Sequence, residues 1–231
     1  MQKINVKQIT GTILIVGILI TGAILLKGKT ASVATQQADN NAKTDLGAIK
    51  IRPIFQEEHV WGNRNARVVI LEYSDTECPF CKIFHNTMHQ VMKQRGEKVA
   101  WVYKHYPITQ LHSKSFHEAV AVECAAVQGG NEAFWKYIDE VYTRTESNNK
   151  LDPAELPKIA KDISLDLVSF NDCLINEKTK EEVQADIDSG NRIRVNGTPT
   201  SFILKNGKVV DTIGGALPLE SVLQKIDNAL K

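Results

Sequence analysis

Two cysteines separated by Pro79 and Phe80 follow the apolar run Val68-Val69-Ile70-Leu71-Glu72-Tyr73 and open a segment of helical periodicity. This dithiol at a strand-to-helix junction constrains the chain more than any other feature. At a helix N-terminus the unpaired N–H groups and the positive end of the dipole favour thiolate over thiol, so Cys78 is the candidate nucleophile. Cys81, one turn further in, is the candidate resolving thiol, which attacks a mixed disulfide formed on Cys78 and releases the partner. The same spacing supplies half of a zinc site. The other cysteines, Cys124 and Cys173, stand singly without a second Cys-x-x-Cys, so no metal site is expected.

The N-terminus carries a separate signal. Residues 9–26 contain no charged side chain, which makes about 27 Å of helix against a hydrocarbon core of roughly 30 Å. Lys3 and Lys7 precede this run and Lys27 and Lys29 follow it. A short tail (1–8) and an uncleaved membrane anchor (9–26) are therefore expected, with the N-terminus in the cytoplasm. Ser32-Val33-Ala34 offers a small-residue cleavage site for the alternative of a removed signal peptide. Residues 27–48, rich in Lys, Thr, Ala, Gln, Asn and Asp, read as a flexible tether, and residues 49–231 as one domain.

Within that domain, Arg67–Tyr73 and Val99–His105 are β-branched apolar runs joined by a helical stretch from Pro79 to about Gln94, a βαβ unit. The sheet signal returns at Thr200–Leu204 and Lys208–Ile213, where Asn206-Gly207 marks a hairpin turn. A last amphipathic helix spans about Leu219 to Leu230. Between the two sheet halves, from about residue 113 to 191, the periodicity is helical throughout. One apolar face runs through Ala119–Val127 and another through Phe134–Tyr142. His85 and His89, four apart, read as a solvated helix face. Trp61, Trp101 and Trp135 read as core or groove residues. A net charge of +1 without a basic stripe excludes an electrostatic case for nucleic acid. No phosphate-binding glycine loop or Ser/His/Asp nucleophile signature is present.

Three motifs together resemble the DsbA-like thiol:disulfide oxidoreductases of the thioredoxin superfamily: Glu72–Cys81; Glu123-Cys124-Ala125-Ala126 with Phe134-Trp135-Lys136-Tyr137; and Val195–Phe202. The resemblance covers Val60 to Lys231. It implies an α/β thioredoxin-like fold with an inserted helical subdomain, here preceded by the transmembrane helix. It also implies a cis Pro199 beside the dithiol, which leaves Thr198 to pair by its main chain with an extended substrate. Glu72, six residues before Cys78, matches an acidic position of the family. Burial on an apolar strand raises its pKa toward that of a proton acceptor for Cys81, whereas strand alternation offers solvent as the alternative. Some members carry a second disulfide in the region of Cys124 and Cys173; the alternative is two buried thiols.

Phe80 departs from the Pro-His pair of the most oxidising members. Thr198 is at least as typical of the related isomerases. The function implied is a membrane-tethered, extracytoplasmic enzyme that forms disulfides in exported, cysteine-containing proteins, with no cofactor. Its reoxidising partner would be a quinone-linked membrane protein of the DsbB or vitamin K epoxide reductase type. A reductase or isomerase, or a tethered chaperone that uses the Thr198-Pro199 groove without redox turnover, are the rival readings.

Overall fold

The computed structural model describes residues 46, 49–51 and 58–231. The expected tail, the anchor at 9–26 and the tether at 27–48, apart from residue 46, lie outside the described residues. Among those described, no helix is long and apolar enough to cross a membrane.

A five-stranded sheet has the order β1-β3-β2-β4-β5. Its strands are β1 (Val60–Gly62), β2 (Val68–Ser74), β3 (Val99–His105), β4 (Thr200–Lys205) and β5 (Lys208–Gly214). β2 and β3 are parallel; the remaining pairs are antiparallel. The parallel pair needs a crossover, and α1 (Pro79–Arg95) supplies it. Asn206 (φ 51°) and Gly207 (φ 77°) turn the β4–β5 hairpin with two left-handed residues, the conformation Asn-Gly adopts most readily.

β2 is covered on both faces, which is why it is apolar almost throughout rather than alternating. Val68 and Ile70 face the cluster of Phe84, Met88 and Val91 from α1 with Val222 and Ile226 from α6 (Leu219–Leu230). Leu71 and Tyr73 face the other side with Val102, Phe202 and Leu204. The α1 residues Cys81, Phe84, His85, Met88, Val91 and Met92 recur at three and four positions and are all buried. Phe84 is wholly inaccessible, and its truncation to Ala would cost about 3–5 kcal/mol.

The helical insertion comprises α2 (Ser115–Arg144), α3 (Glu155–Asp162), α4 (Leu167–Ile175) and α5 (Lys180–Arg192). The two apolar faces read along α2 have a structural cause. Gly130 breaks the helix at φ 62°, ψ −154°, so the two halves point their faces in different directions. The edge strand β1 is new relative to the sequence reading. Three residues carry no periodicity, and the strand exists through pairing with β3.

Candidate active site

Cys78 is the N-cap of α1, extended at φ −77° and ψ 121°, and Pro79 occupies the first helical turn, where its missing N–H costs nothing. Cys78 and Cys81 are both free thiols. They are not equivalent. Cys78 Sγ lies 3.5 Å from the carbonyl of Thr198, at the cis Thr198–Pro199 bond. Its pKa falls from 9.0 to about 6, chiefly because the Cys81 thiol hydrogen-bonds the Cys78 sulfur. Burial opposes the shift; the backbone N–H of Cys81, the Thr198 side chain and the backbone N–H of Phe80 reinforce it. Cys81 is fully buried and shifts the opposite way, by desolvation first and then by the thiolate beside it. The Asp75 N–H lies 3.4 Å from the Cys81 sulfur. The pair is therefore poised as one ionised nucleophile and one protonated reserve thiol.

Glu72 is wholly buried, which removes the solvent alternative. Burial raises its pKa from 4.5 to about 7, against hydrogen bonds to Ser74 and Trp101 that pull it down. Trp101 Nε1 donates to Glu72 Oε2 at 2.8 Å, while Oε1 has no hydrogen-bond partner among the described residues. A carboxyl group with that affinity exchanges a proton near neutrality, as deprotonation of Cys81 requires.

Phe80 projects into solvent, 60% exposed, with Ile83 (55%) and Leu111 (67%) among the few other large exposed apolar side chains. Cys124 and Cys173 form a disulfide of S–S 2.01 Å, joining α2 to α4 outside the dithiol site.

Several supporting residues went unassigned in the sequence. The Asp75 carboxylate accepts the backbone N–H of Glu77 at 2.9 Å and of Ile108 at 2.7 Å, and meets His112 Nδ1 at 3.0 Å. The Glu77 carboxylate accepts the backbone N–H groups of Asn149, Lys150 and Leu151. Lys82 Nζ donates to the Thr145 carbonyl at 2.6 Å. The Glu77 and Lys82 bonds clamp the residues on either side of Cys78 to the 145–151 segment of the insertion, and the Asp75 bonds tie the turn to Ile108 and His112. Glu118 completes the acidic group. Burial and the neighbouring Glu77 carboxyl raise its pKa to about 9, so it stays protonated at neutral pH. A carboxylate three residues before the first cysteine, suited to accept a backbone N–H two residues on, is the one local signal for Asp75; Glu118 and His112 come from distant segments. His85 and His89 also differ from the sequence reading. The pair turns toward Asp139 of α2, and His85 is buried at 2% exposure, because α2 covers the face expected to be solvated.

The family model described as thioredoxin matches residues 55–227. This chain belongs to the thioredoxin superfamily, as a DsbA-like member. Among solved structures it resembles Pseudomonas aeruginosa DsbA2 at 28% identity and TM-score 0.64, over 78% of this chain and 97% of that one. Oxidised BdbD from Bacillus subtilis shares the fold at 18% identity and TM-score 0.67, over 79% and 97% of the two chains. Curated relatives include the Na(+)/H(+) antiporter NhaA 3 of Salinispora tropica, 33% identical over 65% of this chain and 22% of the antiporter. NhaA 1 of Mycolicibacterium gilvum is 31% identical over 71% of this chain and 26% of that protein. The matched region thus spans about a quarter of these antiporters, and their transport function is not carried over to this DsbA-like chain.

Proposed function

We propose that this protein is a membrane-tethered, extracytoplasmic thiol:disulfide oxidoreductase that forms disulfide bonds in exported, cysteine-containing proteins. The observation that carries the reading is the asymmetry of the dithiol: Cys78 is ionised at neutral pH beside the Thr198 carbonyl, and Cys81 is protonated and buried behind it. In the oxidised enzyme a substrate thiolate attacks Cys78 and breaks the Cys78–Cys81 bond; Glu72 supplies the proton that Cys81 takes up. A second substrate thiol then displaces Cys78. The substrate leaves as a disulfide and the enzyme as a dithiol with a stabilised Cys78 thiolate, a good leaving group. The Thr198 main chain supports binding of an extended segment by strand addition, independent of its sequence.

Turnover in this direction needs an acceptor for the two electrons left on the dithiol. A quinone-linked membrane protein of the DsbB or vitamin K epoxide reductase type fits an anchored enzyme, and the charge-free stretch at 9–26 supports the anchor. A reductase or isomerase is favoured by two observations: Phe80 cannot stabilise a thiolate by charge, and Thr198 precedes the cis proline. The reduction potential separates the two. Equilibration of the dithiol with glutathione buffers should give a value toward about −120 mV for a disulfide donor, whereas one near about −270 mV would overturn donation in favour of reduction.

A further inference from the structure

His85 and His89 lie one turn apart on the same face of α1, and Asp139 approaches them from the second half of α2. Three polar atoms converge there. His85 Nε2 is 2.7 Å and His89 Nε2 2.9 Å from the same oxygen, Asp139 Oδ1, and the two ring nitrogens are 3.1 Å apart. Protons alone do not satisfy this triangle. If both rings donate to Asp139, two N–H groups confront each other; if one ring gives up its Nε2 proton to accept from the other, its lone pair faces the carboxylate oxygen. A cation at the centre satisfies all three lone pairs at once.

We propose that His85, His89 and Asp139 form a binding site for one divalent transition-metal ion, zinc by the chemistry of its donors. Imidazole and carboxylate ligate zinc at about 2.0–2.2 Å, and tetrahedral ligation at that radius spaces donors about 3.3 Å apart, so the triangle needs to open by only a few tenths of an ångström. His89 and Asp139 are about a third exposed (33% and 34%), which leaves the fourth position to water. Among the described residues Nδ1 of His85 has no hydrogen-bond partner, so that ring's hydrogen bonds run through Nε2. The ion would bridge the helix that begins at the dithiol to the inserted helical block, one turn beyond Cys81.

The test uses the untagged full chain in its oxidised form, in which a Cys78–Cys81 disulfide denies the sulfurs to the metal. Two of the three tryptophans report on the site: Trp61 packs 4.6 Å from the His89 ring and Trp101 5.2 Å from that of His85. Titration with Co²⁺ should bring in ligand-field absorption and quench tryptophan fluorescence, both saturating at one ion per chain and both reversed by Zn²⁺. Zn²⁺ should also raise the melting temperature. Because His85→Ala risks the fold, the deciding variants are the half-exposed ones. Asp139→Asn and His89→Ala should lose these responses while keeping the far-ultraviolet spectrum, and His117→Ala should retain them. Absence of saturable binding, or binding unchanged in Asp139→Asn and His89→Ala, would overturn the proposal. Neither result would touch the dithiol assignment, which rests on exchange activity.

Discussion

Replacing Glu72 by Gln isolates the cost of holding an ionisable group in the core beneath the dithiol. The carboxyl binds its proton more tightly in the folded chain, at about 7, than at the ordinary 4.5. A raised carboxyl pKa contributes stability that is complete below about pH 4.5 and is lost as pH rises through about 7. At about 1.4 kcal/mol per pH unit, the interval between the two values amounts to about 3 kcal/mol. Gln has nearly the same shape, still accepts from Trp101 Nε1, and does not ionise. The variant should therefore gain about 3 kcal/mol on the wild type between pH 4 and pH 8. Urea denaturation across that range, with both proteins oxidised so that neither active-site thiol titrates, measures the difference directly. In exchange assays the same variant should release mixed disulfides more slowly, because the proton acceptor for Cys81 is gone. A stability difference that stays flat with pH would mean that Glu72 titrates alike in the folded and unfolded chain, and would refute the reasoning.

Further outcomes follow from the same geometry. Alkylation of the reduced enzyme by iodoacetamide should modify Cys78 alone, with a rate that rises through a midpoint near pH 6; a midpoint above pH 8 would remove the thiolate argument. Removing the disulfide by Cys124→Ala with Cys173→Ala opens a loop with a sequence separation of 49 residues and should cost about 4 kcal/mol in the chain-entropy model, read from denaturant unfolding, while leaving the Cys78 titration in place. Glu118 holds its proton to about pH 9 in the folded chain against the ordinary 4.5, so its contribution is complete below about pH 4.5 and is lost as pH rises to about 9; Glu118→Gln should gain on the wild type in thermal melts from pH 5 to pH 9 and no further above that.

Much of the fold was legible because it rests on local chemistry. Pro79 after Cys78, the buried positions of α1 at three- and four-residue spacing and the Asn206-Gly207 turn each carry their own signal, and the strands and terminal helix stand within a residue or two of where that signal places them. β1 was not legible, since Val60–Gly62 is a strand only through pairing with β3. The break at Gly130 registered as two apolar faces, although Gly129-Gly130 in the sequence does not say whether the helix ends or kinks. The dithiol was readable for the same local reason, whereas the cis Thr198–Pro199 bond beside it was expected only from the resemblance of Val195–Phe202 to the family. Glu72 was ambiguous, because an acidic residue on a strand faces solvent or core according to what lies over it. Here α1 and α2 cover that face. Asp139, Glu118 and His112 come to the histidine pair and the acidic group from tens of residues away, and a single sequence holds no record of such approach.

Disulfide exchange at Cys78 is tested most directly by trapping, with the Cys81→Ser variant and an unfolded client that carries one reactive cysteine as a mixed disulfide with a small thiol. With the resolving thiol gone and Cys78 intact, a stable enzyme–client disulfide should accumulate, map to Cys78, and be absent from Cys78→Ser and from the double variant. If Cys81→Ser traps nothing while Cys78→Ser does, the two sulfurs have the opposite roles, with Cys81 the nucleophile and Cys78 the resolving thiol; if neither traps, disulfide exchange at this site is contradicted.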